Sequence, residues 1–334
     1  MTVTFPTRRL LLASLIATPA FATATWARPR KRSPGRAPAR RLTVTVAIDR
    51  QGRGTPQWIE LIRGRIDANE LAGVQMSPRA LSDDDNHWIA TIKATVPTWF
   101  KDTGAIDAPF RQTPPPPALA VIIGALGGDD AFWTQPDIIA FDLSALNNGY
   151  GYDDPASRPA LVNRLLSREY TRLRLNAYLD SAGWPPEWAA KDPFLAALRT
   201  LYVQGLATLR GIEGDRRWLN EDGTPTAEAK KALAELQPVM IERLKGLLAN
   251  RSPQASNAWL HEMSQGPLDR RWGALPIALW LAGDTGYDAG RIAAWIEGKP
   301  DGILQLAAGQ ADRKYQRAFT DLQGAVADKI EDNR

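Results

Sequence analysis

Hydrophobic and polar positions change their rhythm about halfway along this 334-residue chain. "LTVTVAID" (42–49) alternates as a strand with one buried face, and "HWIATIKATVP" (87–97) reads the same way. "ALAVIIGALGG" (118–128) and "DIIAFDLSAL" (137–146) are apolar runs of strand length, separated by a turn at Asp129-Asp130. "PQWIELIRGRIDANELAG" (56–73) has the spacing of an amphipathic helix. "QTPPPP" (112–117) predicts a rigid exposed connection.

From about residue 155 the period becomes helical. Residues 158–183 form one predicted helix, closed by Gly183 and "WPPEW". Residues 192–211 form a second, with Asp192 as N-cap, Pro193 in the first turn and Gly211 just past the end. Residues 224–250 form a third, with a kink expected at Pro238. Further helices are expected at 254–265, 286–297 and 302–326, and no internal repeat is visible. Strands first and helices later predict an α+β fold. The expected organisation is a single domain over 42–330, strand-rich from 42 to 150 and helical from 155 to 330.

Composition agrees with a globular body, at 44% hydrophobic and 23% charged residues, with 12 Trp and 25 Pro. The formal charge of +4 is unevenly placed. Residues 1–41 hold nine bases and no acid, which leaves 32 bases against 37 acids beyond them, a net of about −5. A mildly acidic body argues against a nucleic-acid-binding surface.

The N-terminus accounts for much of the basicity. "TRRLLLASLIATPAFATATWA" has a twin arginine (Arg8, Arg9), an apolar run from Leu10 to Ile16 and small-residue cleavage options ending at Ala22 or Ala24. This predicts a signal peptide over 1–24 and export to the periplasm or beyond, by the twin-arginine route or by a Sec signal of similar appearance. The apolar run is short for a stable membrane anchor, and no later segment is apolar enough to cross a bilayer. "RPRKRSPGRAPARR" (28–41) reads as the basic part of a linker over 25–41. The absence of cysteine excludes thiolate metal sites and cysteine nucleophiles.

The helix at 158–183 carries the chemistry. On a helical wheel Leu161, Val162, Leu165, Leu166, Leu173, Leu175 and Leu179 share one broad arc. Arg168, Glu169, Arg172 and Asn176 fall inside that arc, whereas Arg164, Ser167, Thr171 and Arg174 fall outside it. Buried charges must be paired, because leaving one unpaired in an apolar setting costs several kcal/mol. Arg168 and Arg172 are one turn apart with Glu169 beside them. That is the frame of H-E-x-x-H, in which two His hold zinc and the Glu activates a zinc-bound water.

Together "LVNRLLSREYTRL", "LRTLYVQGLATL" and "GYDAGRIAAWIEG" resemble a family of secreted HExxH metallopeptidases of the gluzincin type. The resemblance runs from about 118 to 320 and includes the "PDIIAFDLSAL" strand. It implies that Arg168 and Arg172 stand at the two His positions, Glu169 at the general base and Gln204 at the third zinc ligand. In that family a later segment of this form closes the cleft, so Tyr287 and Arg291, from "GYDAGR", are cleft candidates with a structural role as the alternative, and Asn176 joins them from its place in the arc. The departures are chemical. Arginine is a permanent cation with no acceptor and cannot ligate zinc, and Gln204 lacks the charge of a Glu. The family's zinc is therefore expected to be absent here, and its peptidase activity with it.

The remaining candidates are weaker. His87 and His261 have no second His at ligand spacing, and "SDDD" (82–85) reads as an acidic solvated turn. No G-x-S-x-G elbow or phosphate-binding loop is present, and "IGALGGDD" reads as a turn. Three readings of "REYTR" follow. The first is a charge network that plugs an old cleft in a non-catalytic exported protein. In the second, arginines partly free in the cleft bind a small anion or a peptide carboxylate. The third is an unorthodox hydrolase using Glu169 as a base without metal.

Overall fold

The computed structural model describes residues 40–332 except 50, 64, 67–70, 73–79, 111–112, 135–136, 152–153, 183, 185–190, 250–252, 265–267, 299 and 301. The predicted signal peptide and nearly all of the basic linker lie outside the described residues. Arg40 and Arg41 are the exceptions. Arg41 opens the first strand, and Arg40 is hydrogen-bonded to Thr103 Oγ1, Asp107 Oδ2 and Tyr170 Oη while its guanidinium covers the Phe100 ring.

The fold is α+β. Strands β1 (Arg41–Val46), β2 (Ala118–Gly124), β3 (Ala131–Thr134) and β4 (Ile138–Asp142) form one sheet in the order β1-β2-β4-β3. β1, β2 and β4 run parallel, and β3 pairs antiparallel with β4 at the edge, Phe132 opposite Ala140. Between the strands lie α1 (Pro56–Ile62), α2 (Asp83–Lys101) and α3 (Gly104–Asp107). After the sheet come α4 (Leu143–Tyr150), α5 (Arg158–Ser181), α6 (Pro193–Ile212), α7 (Ala227–Leu248) and α8 (Pro253–Ser264). The chain ends in α9 (Ala274–Thr285), α10 (Ala289–Glu297), α11 (Gly302–Gln310) and α12 (Arg313–Asp332). None of the described helices is long and apolar enough to cross a membrane.

The two-residue period of the strands explains how the sheet is covered. Val121, Ile123, Ile139 and Phe141 face one side, where α2 and the first half of α5 pack through Trp88, Ile92, Val96, Leu161, Leu165 and Leu166. Ile122, Phe132 and Ala140 face the other side and meet Trp58, Ile59 and Ile62 of α1. Beyond residue 175 a second, helical core forms around α6 and α9, and Leu175 and Leu179 of α5 belong to it. One helix thus enters both cores.

Several expectations need correction. Residues 87–97 are not a strand but the middle of α2. Trp88, Ile92, Val96 and Trp99 recur at helical spacing and are buried. Ser82 and Asp85 form a capping box at its start, so "SDDD" is a helix N-terminus whose third aspartate is buried. The helix expected over 56–73 is α1, which ends at Ile62. Residues 302–326 are split between α11 and α12 around Ala311-Asp312. The helix expected from 286 starts only at Ala289, because Gly286 and Tyr287 take positive φ and Asp288 is the N-cap. α9 and β3 were not anticipated. Asp192 does cap α6, but Gly211 lies inside that helix. Thr171 and Arg174, expected on the outer face of α5, are buried as well. The middle of α5 is enclosed on every side, and Arg174 pairs with Asp107 at 3.0 Å and donates to the carbonyls of Thr113 and Pro114.

Candidate functional site

The "REYTR" segment sits halfway along α5, where that helix passes the free edge of β3. An edge strand presents backbone groups with no strand partner. Here side chains take them. The Ala131 carbonyl accepts from Arg168 Nη2 at 3.0 Å, and the Trp133 amide donates to Glu169 Oε2 at 3.0 Å.

Glu169 is fully buried. Its carboxylate accepts Arg168 Nε at 2.6 Å, Arg172 Nη1 at 2.9 Å on each oxygen, and the Trp133 amide. Arg168 also binds Asp130 Oδ1 at 2.6 Å. Asp130 is held in turn by its neighbour's backbone, since Ala131 N donates to Oδ1, and by Tyr150 Oη, which donates to Oδ2 at 3.0 Å. Asp129 pairs with Arg65 at 3.1 Å and Arg271 at 3.7 Å. Three carboxylates and four guanidiniums among the described residues therefore make one network.

The electrostatics follow from burial and spacing. Burial alone would raise Asp130, but the charge and hydrogen bond of Arg168, with Arg271 and the Ala131 amide, hold its carboxyl well below the ordinary range. Asp129 moves the other way, pushed up first by burial and then by Asp130 against the pull of Arg271 and Arg168. Burial lowers Arg271, and the like charges of Arg168 and Arg172 add to it. Arg65 is lowered by burial against the attraction of Asp129 and Glu169. Arg168 is raised well above its usual value, because Asp130 and Glu169 outweigh its burial.

Of the residues expected in the cleft, Arg168, Glu169, Arg172, Asn176 and Gln204 come together. Glu169, Arg172, Asn176 and Gln204 line a cavity of about 130 Å³ with Arg65, Asp129, Phe132, Trp133 and Val203. Asn176 bonds back to the Arg172 carbonyl and accepts from Arg199. Tyr287 and Arg291 do not line this cavity. Tyr287 borders a separate open groove of about 620 Å³ beside Glu213 and Asn220, and Arg291 is exposed and bonded to the Asp284 carbonyl.

Sequence reasoning missed Asp129, Asp130, Trp133, Arg65, Arg271 and Tyr150. The adjacent Asp129-Asp130 pair after two glycines was the one available signal, and it reads equally well as a turn. Could this set of groups hold zinc? Arg168 and Arg172 offer no lone pair, and Gln204 offers only a neutral amide oxygen. Among the described residues no group of three His, Asp or Glu is placed to hold a metal ion. The residues present do not fit the group.

No family model matches the chain, and no curated protein or solved structure is similar to it.

Proposed function

We propose that the chain is an exported, non-catalytic protein on a metallopeptidase-like scaffold, in which the Arg168–Glu169–Arg172 network closes the former cleft. The observation that carries this reading is the state of Glu169. A general base needs an oxygen within reach of a water or a substrate proton. Both oxygens of Glu169 are occupied by guanidinium and backbone donors, and none of its surface meets solvent. The same donors and acceptors cover the edge of β3, where an extended peptide would otherwise add as a strand. Peptide entry and base chemistry are blocked by one set of hydrogen bonds.

The test is metal content together with peptidase turnover, for the native chain and for Arg168→His/Arg172→His/Gln204→Glu. The native protein should carry no stoichiometric zinc and cleave nothing in a broad peptide panel. The triple variant should bind about one zinc per chain. Turnover by the native protein that disappears in Glu169→Gln would overturn the reading. A folded triple variant without zinc affinity would overturn the scaffold assignment.

A further inference from the structure

The network is closed on the Glu169 side and open on the other. Arg65, Arg172 and Trp133 all line the 130 Å³ cavity, and each has a buried N–H without a partner: Nε of Arg65, Nε of Arg172 and Nε1 of Trp133. Arg172 is itself about nine-tenths buried. Gln204 lines the same space with its Oε1 unpartnered, and a half-turn of that amide presents its NH₂ instead. Buried donors of this kind are expensive to leave unmade. The carboxylates nearby are already committed, Glu169 to two arginines and Asp129 to Arg65 and Arg271. What the cavity lacks is an acceptor carrying negative charge.

The geometry points to a binding site for a small carboxylate, its oxygens taken by Arg65, Arg172 and Trp133, with the Gln204 amide as the fourth donor. Guanidinium N–H groups suit a planar carboxylate better than a sphere, because two oxygens can each face a donor. The cavity has room for only a few heavy atoms. It therefore takes either a free short-chain acid or the terminal carboxylate of a peptide whose remainder stays outside. Four guanidiniums against three carboxylates among the described residues of the network fit a site short of one negative charge. The proposal rests on the non-catalytic reading, since it requires Glu169 to stay bound to its arginines.

Titration calorimetry with sodium acetate in a chloride-free sulfonate buffer is the test. The native chain should show one saturable site. Arg65→Met, at a partly exposed position, should raise the acetate Kd at least tenfold. Gln204→Glu should supply the missing carboxylate from within, abolishing acetate binding while its Tm stays at or above that of the native protein. Competition by a free-acid tripeptide identifies a chain terminus as the source of the group, and failure of that peptide to compete identifies a free acid. Equal competition by the amidated tripeptide would overturn carboxylate recognition. No saturable acetate heat in the native chain would also overturn it, as would undiminished binding in both variants. Such a failure leaves the non-catalytic reading standing, whereas Glu169-dependent turnover removes both.

Discussion

At the scale of single residues, Glu169 is a structural keystone between two arginines and a strand edge. Removing one member of a buried ion network leaves the others unpaired, which is why such changes cost roughly 3 kcal/mol or more. Glu169→Gln keeps the shape and loses the charge, so it should destabilise by about 3 kcal/mol, read from urea unfolding. A wild-type midpoint in that variant would show that the network holds nothing. Asp130 gives a pH signature. Its folded pKa lies below the ordinary 3.8, so its contribution is full above that value and is lost as pH falls toward the depressed one. Asp129 has the opposite sign, because its raised carboxyl protonates first in the folded state. Asp130→Asn should therefore flatten the loss of stability below about pH 4, and an unchanged acid profile would contradict the Arg168–Asp130 pairing. "REYTR" itself was legible, since a charged triplet inside a leucine arc needs partners. The partners were not, because Asp130 and Trp133 reach α5 only through the turn and edge strand that fold onto it.

At the scale of elements, the Asp192 N-cap marked the start of α6, whereas the Gly211 stop and the apparent strand at 87–97 both misled. α6 was readable from Asp192, whose carboxylate accepts from the amides of Phe194 and Leu195. α2 was misread because "IATIKATV" alternates locally, although Trp88, Ile92, Val96 and Trp99 carry the longer helical period that burial obeys. α9 escaped notice because it is apolar nearly all round, which removes the period, and β3 because it is only four residues long. The packing of α6 on α9 rests on a glycine. A Cβ on Gly205 would lie 2.2 Å from Cγ2 of Ile277. Gly205→Ala should accordingly destabilise by about 1–3 kcal/mol as the helices are forced apart. Combined with Ile277→Ala, it should cost less than the sum of the two single changes, with a coupling of at least about 1 kcal/mol in a double-mutant cycle. Strict additivity would mean the two helices do not meet there.

At the scale of the whole molecule, α5 decides how the sheet half and the helical half behave. The change of rhythm near residue 155 suggested two regions of one domain, and the 24-residue α5 is what joins them. Leu161, Leu165, Leu166 and Leu173 pack in the sheet core, Leu175 and Leu179 pack in the helical core, and the arginine network lies between. Neither core can lose its segment of α5 without exposing Arg168, Glu169 and Arg172, of which Arg168 and Glu169 also bind β3 and the turn before it. The two cores should therefore unfold together, despite a size at which separate transitions are common. Far-UV circular dichroism and tryptophan fluorescence should trace the same urea curve. Leu173→Ala on the sheet side and Leu179→Ala on the helical side should each shift that whole curve, by about 2–5 kcal/mol. If Leu179→Ala instead produced a second, earlier transition with the sheet core intact, α5 would not couple the halves. The charged cluster would then be a local plug in one of them.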